Sequence, residues 1–168
     1  MRISRPRDVV AAVDTALAGD TQWRHILSSA QSIHLGVFVE PFLTYVLQGM
    51  KTVESRFSIT RSAPYNRVAA GDVLLLKRSS GPVVGLAHVE SSQSVELGTA
   101  TWPHVRSLAT ELCANEGFWT DRAHKRYATL IRLKSVRVLE RPLAIEKKDP
   151  RPWVVLREQT TSDLPFLA

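Results

Sequence analysis

Cysteine is almost absent: Cys113 is the only one in 168 residues. The chain can form no internal disulfide and no cysteine-based zinc cluster, and a reducing, cytoplasmic setting is the expectation. No run approaches the roughly 18 apolar residues that a membrane-spanning helix needs. The basic start, Met1-Arg2-Ile3-Ser4-Arg5-Pro6-Arg7, leads into a stretch broken by Asp8, Asp14 and Asp20, so no signal peptide is expected. Walker A, GxGxxG, GxSxG and HExxH patterns are missing too, which argues against an NTPase, a dinucleotide-dependent dehydrogenase, an α/β-hydrolase and a zincin. The five histidines, His25, His34, His88, His104 and His124, have no metal-ligand spacing, so none is expected to be a ligand.

Positive charge is what the chain has in excess. Its net charge is +6, and 16 of its 22 basic residues are arginine. Guanidinium pairs with phosphate in a bidentate way and stacks on bases, which ammonium cannot do. The excess is uneven: Phe118 to Arg157 holds 11 Lys and Arg against 4 Asp and Glu. Such a tract reads as a surface for a polyanion, or as a solvated basic face without a ligand.

Periodicity divides the rest. Pro6 to Leu17 reads as a helix, and Asp20 or Thr21 caps a second one running to Ala30. Ser32 to Phe38 is a short apolar strand. Glu40-Pro41 opens a helix whose stripe is Leu43, Val46, Leu47 and Met50, with Gly49 placed for a left-handed stop. From Thr52 to Ile59 the period becomes two, so Val53, Phe57 and Ile59 share one face, and Thr52, Glu54, Arg56 and Ser58 the other. Val73 to Leu76 is apolar on both faces, as in a strand buried on both. Lys77 to Pro82 makes a hairpin connection. Val83 to Glu90 returns with a bend expected at Gly85. Trp102 to Asn115 reads as one helix with Cys113 buried inside it, Thr120 to Arg126 as a helical turn, and Tyr127 to Leu139 and Trp153 to Leu156 as strands. Short strands with few helices favour an α+β fold, a small mixed β-barrel of five or six strands flanked by helices. Residues 1–31 form an N-terminal helical extension packed on it, and 32–168 the main domain.

The polar chemistry concentrates between Glu40 and Phe57. Thr52, Glu54 and Arg56 project from one strand face about 7 Å apart. The helix-to-strand reversal can bring Tyr45 and Lys51 to one rim. A phenol, a lysine and a carboxylate–guanidinium pair suit a nucleotide; an ordinary surface Glu54–Arg56 pair beside an exposed Lys51 is the alternative.

Gly49-x-Lys51-Thr52-Val53-Glu54-x-Arg56, preceded by Pro41 and an amphipathic helix, resembles the signature of ASCH domains (activating signal cointegrator-1 homology), of the PUA-like superfamily. Ala70 to Leu75 followed by Val84 to Val89 resembles that superfamily's central hairpin, and the likeness spans about Ile33 to Leu156. It implies a PUA-like barrel with a basic cleft between barrel and helices, and RNA as partner. Some members degrade single-stranded RNA with a divalent metal, which makes Mg²⁺ the cofactor to expect if this chain cleaves. Others remove the acetyl group of N4-acetylcytidine. Tyr45 and Lys51 match the cleft tyrosine and lysine of the ribonuclease-like members, and Lys51 also matches the lysine of the amidohydrolase branch. That branch has threonine three residues later, where this chain has Glu54.

Three readings follow: binding of RNA or other single-stranded nucleic acid with ribonuclease activity, an amidohydrolase acting on an acylated nucleoside, and a reader module without turnover. The first gives Lys51, Tyr45 and Glu54 the catalytic roles. Thr52, Arg56, Arg78, Ser79, Arg122, Lys125 and Arg126 then hold the strand. Phe118 and Trp119 precede those last cations, with Trp119 expected in the core. Glu111, Asn115 and Glu116 are weaker candidates for a base or ligand, and read more simply as solvated helix residues.

Overall fold

A computed structural model describes residues 3–158. Its elements, in chain order, are α1 (Pro6–Ala16), α2 (Thr21–Ser29), β1 (Ser32–Phe38), α3 (Phe42–Leu47), β2 (Val53–Ser58), β3 (Val73–Arg78), β4 (Val83–Glu96), α4 (Trp102–Ser107), α5 (Ala109–Leu112), α6 (Glu116–Arg122), β5 (Tyr127–Leu143) and β6 (Trp153–Glu158). Six strands form one sheet in the order β2-β5-β4-β3-β1-β6. β1 and β3 run parallel, because α3 and β2 intervene between them; every other pair is antiparallel. The fold is α+β, a mixed sheet curled into a half-barrel. Among the described residues no ladder joins β2 to β6, so the barrel keeps a seam.

Burial follows the pleat. In β3, Val73 and Leu75 pack into one apolar cluster with α1 and α2, through Val9, Val13, Leu17, Trp23 and Leu27. Leu74 and Leu76 pack into a second, with Leu43, Val46, Ile131 and Trp153. That two-sided burial is why β3 shows no polar alternation. A third cluster seats α4, α5 and α6 on β2, β4 and β5 through Val53, Val105, Leu112, Trp119 and Leu130. Asp20 caps α2 by accepting from the Trp23 N–H at 3.1 Å. No helix among the described residues is long and apolar enough to cross a membrane.

Several sequence boundaries move. Trp102 to Asn115 is not one helix: it breaks at Leu108 into α4 and α5. Cys113 ends α5 in the left-handed region with φ 54° and is only partly buried, so it is a terminus and not a core position. The helical turn expected from Thr120 starts earlier, because the Asn115 side chain accepts from the Phe118 N–H at 2.9 Å and caps α6. β4 runs longer than expected, to Glu96, which pairs with Tyr127, and β5 runs on to Leu143, which pairs with Val83. Met50 is 57% exposed, since Gly49 (φ 75°) turns the chain away before Met50 can join the buried stripe. Ile59 lies just past the end of β2 and is exposed as well.

At Gly85 the β4–β5 register shifts, and a side chain has no room there. A Cβ would sit 2.7 Å from the Arg137 carbonyl oxygen and 3.3 Å from Leu47. Gly85→Ala is therefore expected to cost about 2 kcal/mol. Gly98→Ala, where nothing lies within 4 Å, should stay within about 0.5 kcal/mol of the unaltered protein. Urea unfolding measures both, and equal losses would mean that this close approach does not restrict position 85 to glycine.

Candidate nucleic-acid cleft

The seam carries a cavity of about 600 Å³. Its walls come from the end of β1, the start of α3, β2, α6 and the residue before β6. Phe38, Phe42, Phe57 and Phe118 line it, together with Lys51, Arg56, Arg122 and Lys125, and with Glu54 and Asp121.

Lys51 reaches it through the turn that Gly49 permits. The Met50 and Lys51 N–H groups both donate to the Tyr45 carbonyl, at 2.9 and 3.0 Å. Lys51 is buried, 3% exposed, and its Nζ donates to the Leu112 carbonyl at 2.7 Å. The same Nζ is 5.2 Å from the Phe42 ring centre and 3.9 Å from Glu54 Oε2. Burial lowers the Lys51 pKa from its ordinary value, and the Glu54 charge opposes that shift. Glu54 is buried too. Its Oε1 accepts from Arg56 Nε at 3.0 Å, and its Oε2 is buried without a hydrogen-bond partner. Carboxylate, ammonium and guanidinium thus meet at the cleft floor with one acceptor left open.

Arg56 lies between two rings, its guanidinium carbon 4.7 Å from the Phe38 centre and 5.2 Å from the Trp153 centre. Arg122 stacks 3.7 Å from the Phe118 centre and donates to the Phe118 carbonyl at 3.0 Å. Burial lowers its pKa, yet a guanidinium stays charged throughout the ordinary pH range.

The sequence candidates divide. Lys51, Glu54, Arg56, Ser79, Arg122 and Lys125 converge on the cavity. Tyr45, Thr52, Arg78 and Arg126 lie outside its lining. Tyr45 contributes its carbonyl, and its ring packs edge-on against Phe42 with centres 6.4 Å apart. Thr52 is exposed and precedes β2, held by its backbone to Glu111 and Leu133. Arg78 pairs with Glu40. Arg126 is exposed, 6.0 Å from the Tyr127 ring centre. Glu111, Asn115 and Glu116 also stay outside; Asn115 is a helix cap, and Glu116 faces Arg106 at 3.6 Å. Trp119 is core. What sequence reasoning missed is the aromatic wall. Phe38, Phe42 and Phe57 come from three elements with no common spacing, and only the fold unites them.

A divalent cation does not fit this donor set. Glu54 already has Arg56 and Lys51 as counterions, which leaves Asp121 as the only other lining carboxylate. No group of three or more His, Cys, Asp or Glu suited to a metal occurs among the described residues.

No protein-family model matches this sequence, and no curated protein matches it. Solved structures do. A crystal structure of ASCH from Zymomonas mobilis superposes with a TM-score of 0.59 at 17% identity, covering 76% of this chain and 89% of that one. Two single-residue variants of the same protein, one serine to alanine and one tyrosine to phenylalanine, give 0.55 and 0.54 at 17% identity. They cover 77% and 76% of this chain and 91% of theirs. The chain has the ASCH-domain fold.

Removing Arg56 would strand the Glu54 carboxylate with neither oxygen bonded. Arg56→Ala is expected to cost about 3 kcal/mol, whereas the triple variant Arg56→Met, Glu54→Leu and Lys51→Met, which leaves no buried charge unpaired, should recover most of it. Thermal unfolding at neutral pH distinguishes the two. Equal losses would assign the cost to lost packing instead of an unpaired charge.

Proposed function

We propose, from the ASCH fold and the cleft it carries, that this chain binds single-stranded nucleic acid, RNA in the first instance, through the seam of the half-barrel. One observation carries the reading: four phenylalanines and four cations line a single cavity of about 600 Å³. Aromatic faces take bases whatever their identity, and cations take the phosphates between them. Arg122 and Lys125 stand where phosphates would lie along the rim. Lys51 and the open Glu54 oxygen, donor and acceptor side by side, would face polar groups of a nucleotide that reaches the floor.

Arg122→Ala is expected to weaken binding of a labelled single-stranded RNA roughly tenfold and to reduce the salt slope by about 1. The pH dependence follows from Lys51. Its charge is complete at low pH and is lost as pH rises through its lowered pKa. Affinity should therefore fall with rising pH before ordinary lysines titrate, and Lys51→Met should flatten that profile. Affinity in Lys51→Met and Arg122→Ala equal to that of the unaltered protein would remove this reading.

A second reading, cleavage of the bound strand, is favoured by the unpartnered Glu54 Oε2 beside Lys51. Glu54 accepts the proton of a ribose 2′-hydroxyl, the oxygen attacks the adjacent phosphorus, and the bond to the 5′-oxygen breaks, that oxygen leaving with its electron pair and taking a proton from water while Glu54 later returns its own to solvent. Lys51 stabilises the charge that grows on the phosphate. No step passes through Mg²⁺, since the donor set does not fit one. The products would be a 2′,3′-cyclic phosphate and a 5′-hydroxyl, formed equally with Mg²⁺ and with EDTA and lost in Glu54→Gln. Intact RNA after prolonged incubation would leave a binding module. Deacetylation of an acylated nucleoside has less support: Glu54 stands where a threonine nucleophile is required, and Thr52 lies outside the cleft, which leaves Ser55 as the neighbouring hydroxyl in its lining.

A further inference from the structure

The basic tract holds more cations than the cleft takes up. Arg126, Arg151 and Arg157 all lie outside its lining. Beyond Pro152 a second depression, about 470 Å³, runs beside β6, with Arg61, Arg67, Arg151, Arg157 and Glu158 among its lining residues. The two depressions share a wall. Pro152 lines the cleft, and its chain neighbours Arg151 and Trp153 line the groove, with consecutive Cα atoms about 3.8 Å apart. Arg56, in the cleft, reaches towards the Pro152 carbonyl at 3.5 Å and lies over the Trp153 ring.

Three of the four arginines are available. The side chains of Arg61, Arg67 and Arg151 are 63%, 60% and 66% exposed, and each has one carboxylate partner, respectively Glu96 at 3.9 Å, Glu158 at 3.3 Å and Asp149. Exposed pairs such as those of Arg61 and Arg67 contribute about 0–1 kcal/mol, so exchanging a carboxylate for a phosphate costs little there; Arg151 holds Asp149 through both Nε and Nη2 and offers its Nη1 to a phosphate. Arg157 is committed to the fold, donating to the Leu27 and Ala30 carbonyls at 2.9 and 3.1 Å. Arg61 also carries the groove's rim to an aromatic pair. Its guanidinium is 5.3 Å from the Tyr127 ring centre, and Tyr127 meets Tyr65 edge-on at 5.2 Å. Cations interleaved with aromatic rings are what a single strand uses.

We propose that this groove is a second subsite for the same strand, binding the backbone phosphates of nucleotides that flank the one held in the cleft. The strand crosses the seam at Pro152 and follows the β6 edge past Arg151 towards Arg67 and Arg61. The inference rests on the cleft being a nucleic-acid site and adds a path and a minimum length to it.

The test compares single-stranded RNAs about 4 and about 12 nucleotides long, within the usual range of single-strand sites. The unaltered protein should bind the longer RNA more tightly, with a log–log salt slope steeper by about 2, as expected for three further phosphate contacts. The triple variant Arg61→Ala, Arg67→Ala, Arg151→Ala should lose roughly tenfold in affinity for the longer RNA and the extra slope, while keeping its affinity for the shorter one, which also reports an intact cleft. Glu158→Gln, which frees Arg67, should strengthen binding of the longer RNA only, and decides the matter if the triple variant does not fold. Equal affinity of the unaltered protein for both lengths overturns the groove and leaves the cleft standing. So does a triple variant whose slope is unchanged. Binding of neither RNA overturns cleft and groove together.

Discussion

Arg56 is the residue that closes the molecule. β2 and β6 are the two edges of the sheet, and no backbone ladder joins them among the described residues. The Arg56 side chain spans the gap instead, bonded to Glu54 on its own strand and lying between Phe38 at the end of β1 and Trp153 at the start of β6. A planar guanidinium can stack and donate at once; an ammonium could not replace it. Trp153 is fixed from behind. Its indole N–H donates to His34 Nδ1 at 3.2 Å, and His34 Nε2 meets Asp72 Oδ2 at 2.8 Å. Since Nδ1 accepts, the ring proton is assigned to Nε2, facing the carboxylate. Asp72 also accepts from the Ser32 and Ala69 N–H groups. One continuous polar chain thus runs from the turn before β3, through β1 and β6, to the cleft floor on β2.

The cleft floor is expensive to build. Desolvating an ammonium and a carboxylate costs several kcal/mol each, and their attraction repays that only with good geometry. Here the geometry is incomplete, because Glu54 Oε2 has no partner and Lys51 stands 3.9 Å away. The apolar clusters on both faces of β3 supply the stability that tolerates it. A local conflict held in place by a well-packed frame is where function is expected. The Leu112 carbonyl that holds Lys51 is free to do so because α5 ends there, with Cys113 turning out in the left-handed region.

Local rules made much of this legible in the sequence. The stop at Gly49 and the two-sided apolar run at Val73 to Leu76 each have a short-range cause and stand where the pattern puts them, while the strand read from Thr52 starts at Val53 and at Gly85 the β4–β5 register shifts. Lys51, Glu54 and Arg56 were legible as a group because a strand's period of two places Glu54 and Arg56 on one face. The burial of Lys51 was not legible: it depends on Leu112, 61 residues away. Nor was the aromatic wall, since Phe42 and Phe57 read as ordinary apolar residues until α6 brings Phe118 against both. Charge alone says nothing about direction: Arg78 pairs with Glu40 and Arg126 is exposed beside Tyr127, and both lie outside the cleft lining.

The seam also explains why the charges gather where they do. An unpaired strand edge invites pairing with another chain, and natural sheets guard such edges with charged side chains or covering segments. Here α5 covers the entry to β2, where the Thr52 N–H donates to the Glu111 carbonyl. The arginines of the 61–67 segment and of β6 border the other edge. A row of guanidinium groups that repels a neighbouring strand is also a row that attracts phosphate. On the proposed function, edge protection and nucleic-acid binding would not compete, because the same side chains would serve both and the aromatic rings between them would take the bases. Closing the seam with a further ladder would remove the edge and the cleft together.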